Sequence, residues 1–596
     1  MDQAISVTEF KGLRTDKGKK FIPPEYLYNV QNFNYDDIVG LNMTLAPDIF
    51  YNGGTSVSVD GIYEFKYLDS SNILQTTTIC VIGGTIYKDW DTGSPISIKT
   101  GLETGKCAFT VFNDKLFIVN GKNYPVIYNG SVVYEMGAPA ASESFNIGVL
   151  SGTYYYAMTF VTAGGEEYLG TVSNTISVDL NKINLDIPIG YSGTTSRKIY
   201  RTENGGATLK LVTEIADNTT LTYEDNTTDG SLGATIPSIN NECKKPYFIE
   251  SIGSKLIGSK YDLYPTQLDV SSTDVEVWDS SAYVDVSNIG NDNTPVCGMI
   301  ADYNLLILGT GKNIFTVDVS QDTTQVTRTR ANVGVLSGYS MARVPANSDF
   351  DGGVMFLSSL YDVRLFNGNF SAPVASSLDN LKTDNFSQAI NQTLSPLART
   401  RPNISAAFYD YKYILSFGDV SVIFDIRTQA WTKYKIETDS YSQYINCFGI
   451  ISNSLFCGQK DSSIIEKMFS KKNYRGEDHV ATFSTPQVLA SDEFKYIKSI
   501  EIYYLTGDDV SIDINVALDG DVGNSITTNI SLARGGFSPD YYSSNYYTVS
   551  NNGEDYFVLY VNKWARWLEF KVVSSAGIAN IRGYAIRYQS GLQGAS

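Results

Sequence analysis

The 596-residue chain has one histidine, His479, so a Ser-His-Asp arrangement has a single candidate and a multi-histidine metal site has none. His479 stands in KKNYRGEDHV beside Glu477 and Asp478, a charged stretch where the sequence changes character, and a solvated loop histidine is the expectation. Adjacent carboxylates such as Asp36–Asp37 and Asp508–Asp509 could serve glycoside hydrolysis only if two carboxyls faced each other across roughly 5–10 Å. At turns, such residues cap and solvate instead. SIDINVALDGD, Ser511–Asp521, has calcium-type ligands, but on alternating strand positions rather than at the spacing of a DxDxDG loop. The glycine pairs Gly164–Gly165, Gly352–Gly353 and Gly535–Gly536 lack the lysine of a phosphate-binding loop and read as β-turns. Six cysteines (Cys80, Cys107, Cys243, Cys297, Cys447, Cys457) contain no CxxC pair and sit mostly in apolar runs, so buried free thiols are expected. No residue is assigned a catalytic, cofactor-binding or metal-binding role, binding residues are left unassigned, and the expectation is a protein that is not an enzyme and needs no cofactor.

The elements that would position any site are strands. Arg399–Ile436 reads as Ala406–Tyr409, Tyr411–Phe417 and Val420–Ile426, followed by a strand with Trp431 and Tyr434; turns this short force each strand to pair with its neighbour. A similar apolar strand, flanked by Gly or Asn turns, recurs around Cys80, Phe117, Leu256, Leu306, Phe356, Ile414 and Leu455. Apart from one gap, the spacing is that of four-stranded blades of about 40–50 residues, and six, seven or eight blades would fit. The gap holds Phe145–Val178 and 195–233, short alternating strands that predict an immunoglobulin- or fibronectin-like sandwich, with Tyr154 and Tyr156 facing one way and Tyr155 the other. TENGGATL, Thr202–Leu209, is read as a hairpin loop within it; it is similar to the Asp-box turn of sialidases, with Asn204 in place of the Asp and Leu209 in place of the Trp.

The fold expected is all-β: an N-terminal arm and first strands (1–60), a β-propeller begun over 61–144 and resumed over 238–478, an inserted β-sandwich (145–237), and a C-terminal β-sandwich (479–596). The arm, with EYLYNVQNFNY at its end, either lies across a neighbouring subunit or packs on its own domain. One helix is expected within Asp379–Thr393, ended by Pro396. The loop Tyr541–Tyr547 is expected to be exposed, and the remaining tyrosines, of 42 in all, to be half-buried strand residues. A net charge of −19 argues against a surface that grips phosphates, and no apolar run reaches the roughly 18 residues of a membrane span. The first residues lack the basic start and apolar run of a secretory signal, so synthesis in a cytosol is expected.

Several stretches, taken in order, resemble the tail hub or nozzle proteins of short-tailed bacteriophages, also called stabilisation proteins. NVQNFNYDDIVGL (Asn29–Leu41) looks like the opening segment of that family, and RKIYRTENGGATLKLVTEIADNTTLTYEDNTTDGSLG resembles its inserted sandwich. NIFTVDVSQDTT, ANVGVLSGYSMARV and GGVMFLSSLYDVRLFNG are similar to its middle blades, and RPNISAAFYDYKYILSFGDVSVIFDIRTQAWTKY to a late one. The resemblance implies a structural protein of the virion tail, made in the host cytoplasm. It would form a homohexameric ring below the portal and adaptor, which retains and then releases the genome. Its partners would be its own copies, the portal and adaptor, other tail proteins including fibres, and genomic DNA passing without specific binding. The competing expectation is a glycan-binding or glycan-cleaving propeller that acts in host receptor recognition.

Overall fold

The computed structural model describes residues 2–590 except 37–39, 70, 169–170, 192, 238–243, 279–282, 291, 303, 321–323, 330–332, 347–351, 367–386, 506–509, 520, 533–545, 552–553 and 577–579. The chain is almost entirely β-structure. The seven recurring apolar runs are all strands: Leu74–Ile82, Lys115–Val119, Lys255–Ser259, Leu305–Thr310, Gly353–Leu357, Lys412–Ser416 and Ser454–Gln459. Each is the second strand of an antiparallel sheet, flanked on both edges and covered on both faces, which is why its residues are apolar nearly without alternation. In the second, third, sixth and seventh sheets a two-residue turn joins the first strand to the second. Asn113 and Asp114 both adopt left-handed backbone (φ +48° and +55°), the conformation a two-residue turn between twisted strands requires.

Among the described residues the seven sheets span 59–99, 108–135, 248–285, 296–328, 342–366, 405–434 and 445–471. Their first strands (Val59–Leu68, Ala108–Phe112, Phe248–Ile252, Val296–Asp302, Ala342–Val344, Ser405–Tyr409 and Ile445–Ile451) touch one another in chain order, and the last touches the first. Close approach is needed where they meet: a Cβ on Gly61 would lie 2.5 Å from the Phe109 ring. The seventh sheet draws its outer strand from far away. Ala46–Asn52 pairs antiparallel with Ile464–Lys471, so the segment that precedes the first sheet completes the last.

Between the second and third sheets, residues 140–225 form one three-stranded and one four-stranded sheet. The chain crosses from one to the other at Tyr155, leaving Tyr154 and Tyr156 buried and Tyr155 partly exposed. Thr202–Leu209 is the hairpin between Thr194–Thr202 and Leu209–Ile215. Beyond residue 480, Lys495–Leu505, Glu554–Ala565 and Asn580–Ser590 build one sheet; Ala481–Ser484, Leu568–Ala576, Val510–Leu518 and Asp521–Leu532 build another. Both take strands from the N-terminal arm. Asp2–Val7 and Gly40–Met43 pair with Asn580–Ser590, and Asn29–Gln31 bridges Ala481–Ser484 to the sixth sheet. The arm therefore packs on its own chain. One apolar core runs from Trp431 and Phe424 of the sixth sheet through Phe483 to Ile502 and Ile514.

Two expectations need correction. His479 is no solvated loop residue: it is buried, and its Nε2 donates to the Thr44 carbonyl at 2.8 Å. Charged sequence neighbours suggested solvent, but a segment 435 residues away in sequence covers the ring. The helix is Asn391–Thr400, later than expected, and Pro396 lies inside it rather than ending it. Leu394 and Ala398 are buried there, and this packing outweighs the one intrahelical bond that proline cannot make. Residues 379–386 of the expected helix lie outside the described residues.

Candidate functional site

The circle of first strands encloses an axial cavity of about 610 Å³, and all seven strands or their immediate flanks contribute to its wall. Aromatic rings narrow it. Tyr63 stacks on Phe109 (centroids 5.2 Å apart, planes 14° from parallel), and Phe248 lies tilted against Tyr339 at 5.5 Å. Phe408, Phe448, Met299 and Met341 also line it, beside the charged Glu64, Lys66 and Glu250.

Two carboxylates among the described residues line this wall, and their surroundings push them in opposite directions. Burial raises Glu250, and the Ala301 N–H only partly opposes it, so the carboxyl is pushed up to about 8. Burial also raises Glu64, but Lys66 (2.6 Å) and the Ser452 N–H (2.8 Å) outweigh it and hold this carboxyl below the usual range. Glu250 shares a strand face with Phe248 and Ile252, so a charge-bearing side chain stands in an otherwise apolar row. That polar interruption in FIESI is the one signal in the sequence that could have marked it.

Several lysines outside the cavity wall lie over tyrosine rings. Lys245 lies over Tyr124 (4.6 Å), Lys260 over Tyr247 (4.9 Å), Lys244 over Tyr283 (4.9 Å) and Lys460 over Tyr444 (5.7 Å). Lys106 sits deepest, donating to the Ile404 carbonyl at 2.5 Å and to Ser405 Oγ at 2.6 Å, with its ammonium 5.3 Å from the Tyr339 centroid. Burial lowers this ammonium to about 8. Nearby, burial raises the Asp60 carboxyl against the Gly105 N–H and the Asn446 amide, and burial pushes the Cys107 thiol well up. A buried thiol of this kind is a poor nucleophile.

Of the features weighed for chemistry in the sequence, Cys107 alone lines this cavity among the described residues. His479 serves the core, and Asp513 on the SIDINVALDGD strand accepts from Asn529 Nδ2 at 2.6 Å. Among the described residues no group of three His, Cys, Asp or Glu side chains could hold a metal ion. Cys80, Cys107, Cys297, Cys447 and Cys457 are free thiols. The Tyr541–Tyr547 loop, the Asp508–Asp509 pair, Asp37, Cys243 and Gly535–Gly536 lie wholly or largely outside the described residues. Among those described, no helix is long and apolar enough to cross a membrane.

No protein-family model matches the sequence, and no curated protein matches it. Among solved structures it is similar to a computationally designed protein, Ika8 (10% identity, 70% of this chain and 99% of that one, TM-score 0.32). It is also similar to the WD40 β-propeller domain of Doa1 (9%, 72% and 98%, 0.25). A third is an exo-β-1,3-galactanase from Phanerochaete chrysosporium with galactose (9%, 57% and 94%, 0.22). Likenesses this slight say nothing about what the chain does.

Proposed function

We propose that the chain is a structural protein of a bacteriophage tail, a ring-forming hub or nozzle below the portal and adaptor whose assembled lumen conducts the genome and holds it until ejection. In this reading the circle of seven sheets is a seven-bladed β-propeller, residues 140–225 are an inserted sandwich, and the sheets beyond residue 480 form a second sandwich fused to the sixth blade. The observation that carries the reading is how the chain is tied together. The N-terminal arm supplies strands to both C-terminal sheets and then the outer strand of the seventh, and a single core crosses from the sixth sheet into the C-terminal region. Such a body has few free strand edges and suits a rigid wall.

The axial cavity of each chain is too narrow for duplex DNA, whose major groove alone is about 12 Å wide. The conduit must then lie between subunits. With −19 charges per chain, a lumen of carboxylates would repel phosphates and let DNA slide. The segments that resemble the hub family, spread through the chain in order, agree with this assignment. The test is mass photometry with negative-stain imaging, alone and with a portal–adaptor complex. A hollow ring of about six copies is expected; a chain that stays monomeric and unbound even on that complex sinks the proposal.

A glycan-cleaving propeller is the second reading. One observation favours it: Glu250 and Glu64 line the same cavity with one carboxyl raised and the other lowered, the separation an acid–base pair needs. The structural role is preferred because it also accounts for the N-terminal arm and the C-terminal sheets, which the cavity does not involve. Hydrolysis of host surface glycans by the wild type, lost in Glu250→Gln, would reverse that preference.

A further inference from the structure

The axial cavity combines a carboxyl group with aromatic walls and leaves the carboxyl without a cation. No Lys or Arg pairs with Glu250 among the described residues, and its one hydrogen-bond partner is the Ala301 N–H. Two lysines face its aromatic neighbours, Lys260 over Phe248 at 5.5 Å and Lys106 over Tyr339 at 5.3 Å, and other nearby charges are held by partners of their own. Glu64 pairs with Lys66, Asp302 beside Ala301 holds Arg343 at 3.0 Å, and Lys106 is bound to Ile404 and Ser405. Tyr63 is the ionisable group that feels Glu250, and Tyr339, on the flank of the fifth sheet, donates its hydroxyl to the Lys106 carbonyl. We propose that this cavity binds an organic cation with an apolar body, an alkyl- or arylammonium, its charge against Glu250 and its body against Tyr63, Phe109, Phe248 and Tyr339.

Three properties select that class. A volume of about 610 Å³ lies within the ~300–1,000 Å³ of small-molecule sites. Aromatic faces attract ammonium groups. Beside Glu250 and the Glu64–Lys66 pair, the lining offers Met299, Met341 and aliphatic side chains, which fit the hydrocarbon body. Burial with no cation beside it keeps the Glu250 carboxyl protonated at neutral pH, so an arriving cation displaces that proton to solvent and leaves a carboxylate–ammonium pair. Binding and proton release are then one event, and affinity rises with pH until the carboxyl titrates on its own.

The experiment is titration calorimetry of the full chain with hexyltrimethylammonium and, as the uncharged control, hexanol, at pH 6 and pH 8 in two buffers of different ionisation enthalpy. The cation should bind at least about tenfold more tightly than hexanol at pH 8. It should weaken by about tenfold per pH unit below 8 and release close to one proton per site at pH 6. Glu250→Gln should retain hexanol binding and lose the preference for the cation. No binding, equal binding of cation and alcohol, or an unchanged preference in Glu250→Gln overturns the proposal. If that variant fails to fold, buffer-independent heats for the wild-type protein at pH 6 overturn it equally.

Discussion

At the scale of single residues, stability rests on groups whose partners are remote in sequence. Arg201 and Asp225 are both fully buried in the inserted sheets and meet at 2.7 Å, and Tyr156 donates to the same carboxylate at 2.8 Å. Asp225→Ala strands a buried guanidinium with only the half-exposed Asp229, and should cost about 3–5 kcal/mol in urea unfolding. A loss below 1 kcal/mol would mean that Asp229 alone suffices. Trp431, 3% exposed and 5.0 Å from Phe424, should cost about 3–5 kcal/mol on replacement by Ala, measured the same way. Glu250 gives a signed pH effect. Its carboxyl holds a proton more tightly in the fold, where it is raised to about 8, than in the unfolded chain, near 4.3. The stability this supplies is complete below about pH 4.3 and is lost as pH rises through 8. Relative to Glu250→Gln, the wild type should therefore lose of order 2 kcal/mol between pH 5 and pH 8.5, after allowance for relaxation and water entry. Equal slopes in the two proteins would refute the burial argument. Beyond the polar interruption in FIESI, nothing around Glu250 or His479 in sequence announced these settings, because Ala301 and Thr44 reach them only through the fold.

At the scale of elements, what was legible was what is local. The second strand of every sheet could be read, since burial on both faces leaves a continuous apolar signature such as KLFIV or LLILG, and the strand limits around Trp431 fall within a residue or two of those expected. The clasp was illegible, because Ala46–Asn52 pairs with Ile464–Lys471, more than four hundred residues later, and APDIFYN does not reveal that partner. In a strand adjacent N–H groups point to opposite sides, so of Asp48→Pro and Ile49→Pro one must remove a hydrogen bond to that partner. That variant should lose about 3 kcal/mol and expose 445–471 to limited proteolysis, while the other remains resistant. Equal resistance in both would show that the seventh sheet holds without its borrowed strand. The helix was misplaced for a related reason. Its start was sought by apolar spacing, whereas Leu394 and Ala398 are fixed by packing that tolerates Pro396.

At the scale of the whole molecule, alternation and spacing gave an all-β chain with recurring sheets and an insertion, but neither the cycle's count nor its axial cavity. Both depend on which first strands touch, and no periodicity records that. If the assembled lumen repels DNA, replacing its carboxylates with lysine should slow ejection from reconstituted particles, and unchanged kinetics would count against sliding by like charge. One pairing also sets how the body responds to force. Asp2–Val7 runs antiparallel to Asn580–Ser590 with Asp2 opposite Gln589, so tension through the backbone at these two residues loads one end of the ladder. The bonds then yield one after another, each worth about 1 kcal/mol, rather than together in shear. The pair is thus a mechanical fuse: strain arriving along it would peel the first strand away at low force and leave the circle of sheets, tied by other strands, intact.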